Sequence, residues 1–178
     1  MKATGIVRRI DDLGRVVIPK EIRRTMRIRE GDPLEIYTDT DGQVIFKKYS
    51  PMGELSEFAV QICDALHKTT GAIAAVCDRD TVIAVAGGGK RELLERRVSR
   101  ELEELMTARG QYAADTCTLP VTETDERYAV AVAAPILSEG AVLGCVLFAA
   151  ARGGAPAGET ERKLAQAVAG FLGKQMES

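Results

Sequence analysis

The stretch DDLGRVVIPKEIRRT, residues 11–25, contains a turn, a short strand and the start of a helix. Its first four residues favour a turn, and the β-branched VVI that follows favours a strand. Pro19 ends this strand because it has no N–H for a β-ladder, and its fixed φ suits the start of a helix. The helix then carries Lys20, Arg23 and Arg24. These basic side chains either only face solvent on the surface of a small β-rich fold, or they bind an acidic partner.

Charge is distributed unevenly along the chain. The first thirty residues hold nine Lys or Arg and four Asp or Glu, a net charge of +5, whereas the whole chain has a net charge of −2. The remaining residues therefore carry −7. A positive end on a negative body indicates contact with nucleic acid or another anionic surface at that end. Bases spread over the surface for solubility are the alternative, and the asymmetry alone does not decide between them.

Length and composition indicate one domain or two small ones. The chain has 178 residues, of which 46% are hydrophobic, so it can form a true core. It has neither an apolar signal segment nor a run of about 18 apolar residues, which predicts a cytoplasmic protein without a membrane span. The four cysteines form no CxxC pair and there is one histidine. We therefore expect buried, reduced thiols, no metal, no cofactor and no enzymatic activity.

The first fifty residues are predicted to form two hairpins around a short helix. Strands are expected at residues 5–10 and 15–18, and the helix within PKEIRRTM. After Gly31 a second hairpin follows, LEIYT to QVIFKKY, with a DTDG turn in which Gly42 takes a positive φ. A module this small, without metal or disulfide, buries too little surface to be stable alone. We therefore expect a two-fold dimer with a shared core.

A Pro and a Gly in KKYSPMG indicate a linker at residues 51–55, between domains at 1–50 and 56–178. The second domain is predicted to be α+β, an antiparallel sheet flanked by helices. Its elements are a helix in ELSEFAVQICDALHKTTG, a hairpin from AIAAVC to TVIAVAG, a helix over 91–108, a longer hairpin from RYAVAVAAPIL to AVLGCVLFAAA, and a helix from about Glu159 to Gln175. The three glycines before Lys90 could hold an anion, but a need for positive φ is the favoured explanation.

Four motifs of the first domain, GIVR, LGRVVIP, EIRRT and LEIY, resemble the AbrB-type swapped-hairpin DNA-binding domain of bacterial transition-state regulators. The resemblance covers residues 1–50. The continuation to AGFLGKQME is similar to sporulation regulators of this group, in which a GAF-like sensor domain follows the head. The resemblance implies two domains. These are an N-terminal, mainly-β swapped-hairpin head and a C-terminal α+β GAF-like domain with an antiparallel sheet and flanking helices.

The resemblance also implies a function, that of a DNA-binding transcription regulator whose head binds duplex DNA as a swapped dimer. The bases that contact DNA in the family fall here on Arg8, Arg15, Arg23 and Arg24, with Arg9 and Lys2 as neighbours on the same face. Guanidinium groups bind phosphates bidentately and reach base edges, which agrees with that assignment. The alternative, that these arginines pair with Asp11, Asp12 or Glu21, can account for one or two of them but not for six bases in one short head. The GAF-like domain is expected to oligomerise and to sense an unidentified small molecule. Dimeric heads and pairing bodies together predict a tetramer, a dimer of dimers.

One position departs from the family pattern. Many relatives have glycine directly after the helix, where this chain has Arg27. A glycine would ease a left-handed turn, so Arg27 must end the helix in another way or tolerate the strain.

Two other functions remain open. The head also suits an antitoxin-type partner binder, although the second domain is long and periodic where antitoxins usually end in a short tail. Some GAF-like domains are cysteine enzymes, but the cysteine spacing gives that interpretation little support.

Overall fold

The computed structural model describes residues 4–177 and contains two compact units. The head ends at Tyr49 and the body begins at Ser50. Among the described residues of the head are one helix, α1 (Lys20–Thr25), and one antiparallel hairpin, β1 (Leu34–Thr38) with β2 (Val44–Lys48). Gly42 has a φ of 78° in the connecting turn. The predicted helix, second hairpin and glycine turn are confirmed.

The segments at residues 5–10 and 15–18 do not form strands within the described part of a single chain. The turn between them is present, because Asp11 N–H donates to the Arg15 carbonyl at 2.9 Å and Gly14 N–H to the Asp11 carbonyl at 3.0 Å. The prediction of a complete first hairpin in one chain is therefore corrected. A strand needs a hydrogen-bonded neighbour along its length, and the described part of this chain supplies none to these two segments.

Helix α1 ends in a Schellman motif that contains arginine in place of glycine. Ile28 N–H donates to the Arg23 carbonyl at 2.8 Å and Arg27 N–H to the Arg24 carbonyl at 3.3 Å. Arg27 takes the left-handed conformation, with a φ of 51°. The helix thus ends as it would with glycine, and Arg27 carries the strain of that conformation.

The body is built on a five-stranded antiparallel sheet with the strand order β4-β3-β7-β6-β5. The strands are β3 (Ile73–Asp78), β4 (Val82–Ala86), β5 (Tyr112–Ala113), β6 (Tyr128–Ser138) and β7 (Ala141–Ala151). Both predicted hairpins are confirmed, and the two-residue β5 was not predicted. The helices are α2 (Ser56–Thr70), α3 (Lys90–Leu93), α4 (Arg100–Thr107) and α5 (Glu159–Gln175). The predicted α5 agrees with the observed bounds.

Each face of this sheet has its own apolar core, because alternate residues of a strand point to opposite faces. Helices α2 and α5 contribute Leu66 and Leu172 to a core that includes Phe148 of β7. On the opposite face, Leu102 of α4 packs with Leu147, the residue before Phe148. The body is therefore a layered α+β domain.

Residues 51–55, for which the sequence indicated a linker, form a 3-10 helix. Met52 in this segment is fully buried in the core under α2 and α5. Burial of this side chain stabilises the segment against the body, so residues 51–55 pack as part of the body.

The prediction of one continuous helix over residues 91–108 is wrong. The chain leaves α3 with Glu95 at a φ of 59°, and Glu95 N–H donates to the Val82 carbonyl on the edge of β4 at 2.9 Å. Ser99 then caps α4, because its hydroxyl accepts the Leu102 N–H at 3.0 Å. The apolar residues keep helical spacing through this interval. The exposed edge of β4, however, offers hydrogen-bond partners to the backbone there, and a continuous helix would not use them.

Candidate nucleic-acid interface

Five of the six predicted DNA-binding residues lie in the described part of the chain, and all five are exposed. Arg8 and Arg9 precede the turn at residues 11–14, Arg15 follows it, and Arg23 and Arg24 lie on α1. Lys2 lies outside the described residues. Exposure is what a phosphate contact requires, since a guanidinium must reach a partner outside the chain.

Asp11 holds Arg15 through both of its carboxylate oxygens. Oδ1 accepts the Arg15 backbone N–H at 2.8 Å and the Leu13 N–H at 3.0 Å, and Oδ2 accepts Nε of the Arg15 side chain at 2.8 Å. The backbone hydrogen bond from Arg15, followed by that from its side chain, holds the pKa of the Asp11 carboxyl below its ordinary value. Asp11 is therefore ionised in the folded head at neutral pH.

Arg23 and Arg24 occupy the last turn of α1, where cations interact favourably with the helix dipole. Nε of Arg23 donates to the Ile18 carbonyl at 3.2 Å, which ties this side chain to the segment before the helix. Arg24 lies about 100° further round the helix axis. The two side chains therefore leave the helix in different directions.

The alternative that these arginines are neutralised by neighbouring acids holds for one of the five. Within residues 4–177, Arg15 pairs with Asp11, whereas Arg8, Arg9, Arg23 and Arg24 form no ion pair. A basic surface whose charges are mostly unpaired attracts polyanions strongly.

The same head exposes an unusually large apolar surface. Eleven large apolar residues of its described part are exposed: Ile6, Val7, Ile10, Leu13, Val16, Val17, Met26, Ile36, Tyr37, Val44 and Tyr49. Several belong to the segments that lack a strand partner within the chain. Large exposed apolar surfaces are typical of interaction sites.

The outer side of α2 and α5 has a smaller apolar pair. The rings of Phe58 and Phe171 lie 6.1 Å apart between centroids and are tilted by 50°. Both rings remain more than one-third exposed. Both residues keep the helical spacing of the apolar side chains of their helices, so part of each apolar stripe faces outward.

The three glycines before α3 all have a positive φ: 93° at Gly87, 132° at Gly88 and 65° at Gly89. A Cβ on Gly87 would also clash with Nδ1 of His67. That nitrogen lies 2.8 Å from the Ala72 carbonyl oxygen, which only accepts, so Nδ1 donates and His67 caps the chain after α2. The interpretation of these glycines as a response to backbone conformation is confirmed.

All four cysteines are buried free thiols, as expected. Burial raises the pKa of Cys63 to about 12. Cys77 and Cys145 face each other across β3 and β7 with 3.1 Å between their sulfurs, and the hydrogen bond between the two thiols, together with burial, raises the pKa of Cys145. Protonated, buried thiols are poor nucleophiles, so this chemistry does not favour a cysteine enzyme.

A shallow depression of about 480 Å³ lies on the body surface and is lined by Thr124, Asp125, Glu126, Arg127 and Arg152. Its arginines are neutralised locally, since Arg127 pairs with Asp125 and Arg152 with Glu126. The depression therefore lacks the uncompensated charge that would select an ionic ligand. Across the described residues, every helix is too short or too polar to cross a membrane.

Sequence reasoning named Asp11 among the acids that could pair with these arginines, but it missed the turn in which Asp11 holds Arg15, and it left the conformation of Arg27 open. The Asp-x-x-Gly-Arg spacing is a detectable signal for the first, because Asp side chains often accept backbone N–H groups just after them in a turn. No local pattern decides the second, since arginine rarely takes a positive φ.

Comparisons with known proteins place the chain among bacterial DNA-binding transcription regulators of the AbrB-headed class. It is 49% identical over 179 aligned residues to stage V sporulation protein T of Bacillus subtilis (strain 168), and the alignment covers 99% of each chain. Residues 54–177 match the family described as stage V sporulation protein T C-terminal, transcription factor. The chain belongs to the stage V sporulation protein T family.

The head also has matches of its own. It is 65% identical over 51 residues to the transition state regulatory protein AbrB of Bacillus subtilis (strain 168), covering 29% of this chain and 52% of AbrB. Residues 7–53 match the family described as antidote-toxin recognition MazE, bacterial antitoxin. The body match describes a transcription factor, so the whole chain is a sporulation-type DNA-binding regulator rather than an antitoxin.

The body resembles the crystal structure of the GAF domain/HD domain protein from Geobacter sulfurreducens. The two are 15% identical with a TM-score of 0.50, over 68% of this chain and 91% of that one. At this identity the likeness concerns the fold alone. The predicted fold, an AbrB-like head followed by a GAF-like α+β body, is confirmed.

Proposed function

We propose that the protein regulates transcription as a tetramer in which paired heads bind duplex DNA and the bodies join two such pairs. The DNA surface consists of Arg8, Arg9, Arg15, Arg23 and Arg24, with Lys2 as a further contact. The observation that carries the proposal is the coexistence on one small head of exposed, mostly unpaired arginines and exposed apolar side chains. The first set suits DNA and the second suits a second head.

The dimer of heads follows from the apolar surface and from the segments at residues 5–10 and 15–18. Val7, Ile10 and Val17 are each more than 70% exposed in the single chain. Full burial of one such side chain contributes about 1.5–3 kcal/mol, so a shared core built from several of them stabilises the pair substantially. A two-fold axis through that core would also present two copies of the arginine surface, which suits the repeating backbone of duplex DNA.

Pairing of the bodies rests on Phe58 and Phe171. These rings lie side by side on neighbouring helices and are exposed, although the same helices bury Leu66 and Leu172 in the core. Packing α2 and α5 against the same helices of a second body would cover both rings in a helical bundle. If the head of each chain pairs with one neighbour and its body pairs with a different neighbour, four chains form a closed tetramer.

Small-molecule sensing by the body is a proposal that rests on its GAF-like fold. On the α3 and α4 side of the sheet, Leu93, Leu102 and Met106 are fully or almost fully buried. A ligand that binds on that side must therefore displace α3 and α4. We expect this movement to change the affinity of the heads for DNA. A coupling free energy of about 1–3 kcal/mol would change that affinity about 5- to 150-fold. Native mass spectrometry of protein purified from its host tests this proposal, and protein without any added mass from every growth phase would contradict it.

We further infer that the protein acts in the cytoplasm, where bacterial DNA lies, and that it has no catalytic role. The transcription-factor relatives and the buried thiols with a raised pKa support this inference. Replacement of all four cysteines by alanine should leave DNA binding intact once the temperature is lowered to offset the lost packing. Loss of DNA binding in a folded quadruple variant would contradict it.

The DNA surface is tested by removing two charges from the head or two from the body. Arg23→Ala with Arg24→Ala should weaken binding to a promoter fragment at least tenfold. It should also lower the dependence of log affinity on log salt by about 0.9 for each phosphate that the protein no longer neutralises. Arg91→Ala with Arg162→Ala is the matched control, since both residues are exposed on the body and the change in net charge is the same. Equal effects of the two pairs would show that net charge, rather than this surface, governs binding.

A further inference from the structure

We propose that Asp11 is a positioning residue for DNA binding, whose carboxylate holds the Arg15 guanidinium in place for a phosphate or a base edge. The inference rests on the proposed DNA contact of Arg15 and extends it, because it gives an acidic residue a favourable role on a surface that binds a polyanion. The geometry of the two carboxylate oxygens supports it.

The two oxygens of Asp11 have separate tasks. Oδ1 closes the turn by accepting the backbone N–H groups of Leu13 and Arg15. Oδ2 accepts Nε of Arg15 at 2.8 Å, a contact that the turn itself does not need. One carboxylate therefore fixes the backbone with one oxygen and the side chain with the other.

The contact restrains Arg15 without using the ends of its guanidinium. Nε is the inner nitrogen of the group, and the two Nη nitrogens make no hydrogen bond within residues 4–177. The side chain also remains 69% exposed. A guanidinium that is already oriented loses less conformational freedom when it binds, and its outer N–H groups are the fork that fits a phosphate or a guanine edge.

Charge alone predicts the opposite effect of Asp11. An acid on a DNA-binding surface repels phosphates, so its neutralisation ordinarily strengthens binding. Asp12 is the neighbouring acid and a matched control, because it is exposed and its side chain makes no hydrogen bond among the described residues. If Asp11 positions Arg15, neutralising Asp11 weakens binding, whereas neutralising Asp12 leaves it unchanged or strengthens it.

Asparagine separates the two tasks of Asp11. The side-chain oxygen of Asp11→Asn can still accept the Leu13 and Arg15 N–H groups and keep the turn, whereas the other position becomes an NH₂ donor facing the Arg15 Nε–H. Two donors cannot bond each other, so Arg15 is released while the backbone is retained. Unchanged thermal unfolding of the full-length variant would verify that the fold is intact.

The experiment measures the affinity of the full-length protein for one promoter fragment at fixed salt, using Asp11→Asn, Asp12→Asn, Arg15→Ala and the double variant Asp11→Asn/Arg15→Ala. We expect Asp11→Asn to weaken binding about tenfold, within the range of coupling between contacting residues, and Asp12→Asn to bind at least as well as the original protein. In the Arg15→Ala background, Asp11→Asn should cause no further loss.

Each contrary outcome has its own meaning. If Asp11→Asn binds as well as Asp12→Asn while Arg15→Ala binds poorly, the positioning role is refuted and the DNA contact of Arg15 stands. If Asp11→Asn weakens binding equally with and without Arg15, Asp11 acts only through the turn, and the inference is overturned. If Arg15→Ala binds normally, it is the proposed function of Arg15 that fails.

Discussion

Lys48 of β2 donates a hydrogen bond from Nζ to the carbonyl oxygen of Arg27, at a distance of 2.8 Å. Arg27 is the residue that ends α1 in the left-handed conformation. The last strand of the head thereby fixes the end of the helix that carries Arg23 and Arg24. The orientation of two proposed DNA contacts thus depends on a residue 21 positions further along the chain from Arg27.

Arg27→Gly should stabilise the protein. The left-handed conformation costs an ordinary residue about 1–2 kcal/mol, and glycine recovers this at an entropic cost of about 0.5–1 kcal/mol. We expect a net gain of about 0.5 kcal/mol in the free energy of unfolding, measured with urea on the full chain. Arg27→Ala is the control, because it removes the same side chain and keeps the strain. A glycine variant that is less stable than the alanine variant would refute the assigned strain.

Lys48→Met should destabilise the head by about 1–3 kcal/mol, because it removes a donor from a carbonyl that is partly buried. It also removes the cation 3.7 Å from the Asp32 carboxylate, a side chain that is only 7% exposed. Urea unfolding measures the change. Lys47→Met is the neighbouring control, since Lys47 is exposed and lies 4.7 Å from the centre of the Tyr37 ring, a contact of about 0.5–1 kcal/mol. Equal losses in the two variants would contradict a specific role for Lys48.

Phe58→Ser combined with Phe171→Ser should convert the proposed tetramer into a dimer. The change removes the apolar area that α2 and α5 expose while the heads remain paired. Light scattering coupled to size-exclusion chromatography should show half the original mass. Gln61→Ser with Gln166→Ser is the control on the same two helices, at exposed polar positions, and it should leave the mass unchanged. A dimeric original protein, or a double phenylalanine variant that remains tetrameric, would end the proposal of body pairing.

Cys63→Ala should reduce the loss of stability at alkaline pH. Burial raises the pKa of Cys63 from 9.0 to about 12, so above pH 9 the unfolded state releases a proton that the folded state retains. Stability therefore falls with rising pH in this window, by at most about 1.4 kcal/mol per pH unit from this thiol. Urea unfolding from pH 8 to pH 10 measures the slope. Leu66→Ala in the same helix removes packing without a titrating group, and it should lower stability by the same amount at each pH. A slope in Cys63→Ala equal to that of the original protein would contradict the assignment.

Most of the body could be predicted from local pattern. The Glu139–Gly140 turn separates two long apolar strands, β6 and β7, and one amphipathic stripe defines α5 to within a residue. The interval between α3 and α4 could not be predicted, because Val98 and Leu102 keep helical spacing while the backbone bonds to β4. That competition is settled by a strand edge more than ten residues away in sequence, which periodicity does not detect.

In the head, too, local pattern did not reveal which backbone hydrogen bonds form. Residues 5–10 and 15–18 have strand composition, but the hydrogen bonds that would make them strands are not supplied by their own chain. The candidate arginines were identified from their resemblance to a family and from charge. The carboxylate of Asp11 became part of the site only when its distance from Arg15 Nε was known.

The incomplete strands of the head have a consequence for how the regulator responds to its own abundance. If the head completes its fold only with a second copy, the DNA-binding surface is made at assembly, and its amount at low expression rises with the square of chain concentration. Doubling synthesis would then raise the active form about fourfold until pairing saturates. In such a circuit the cell sets a threshold through expression level alone, before any effector is present.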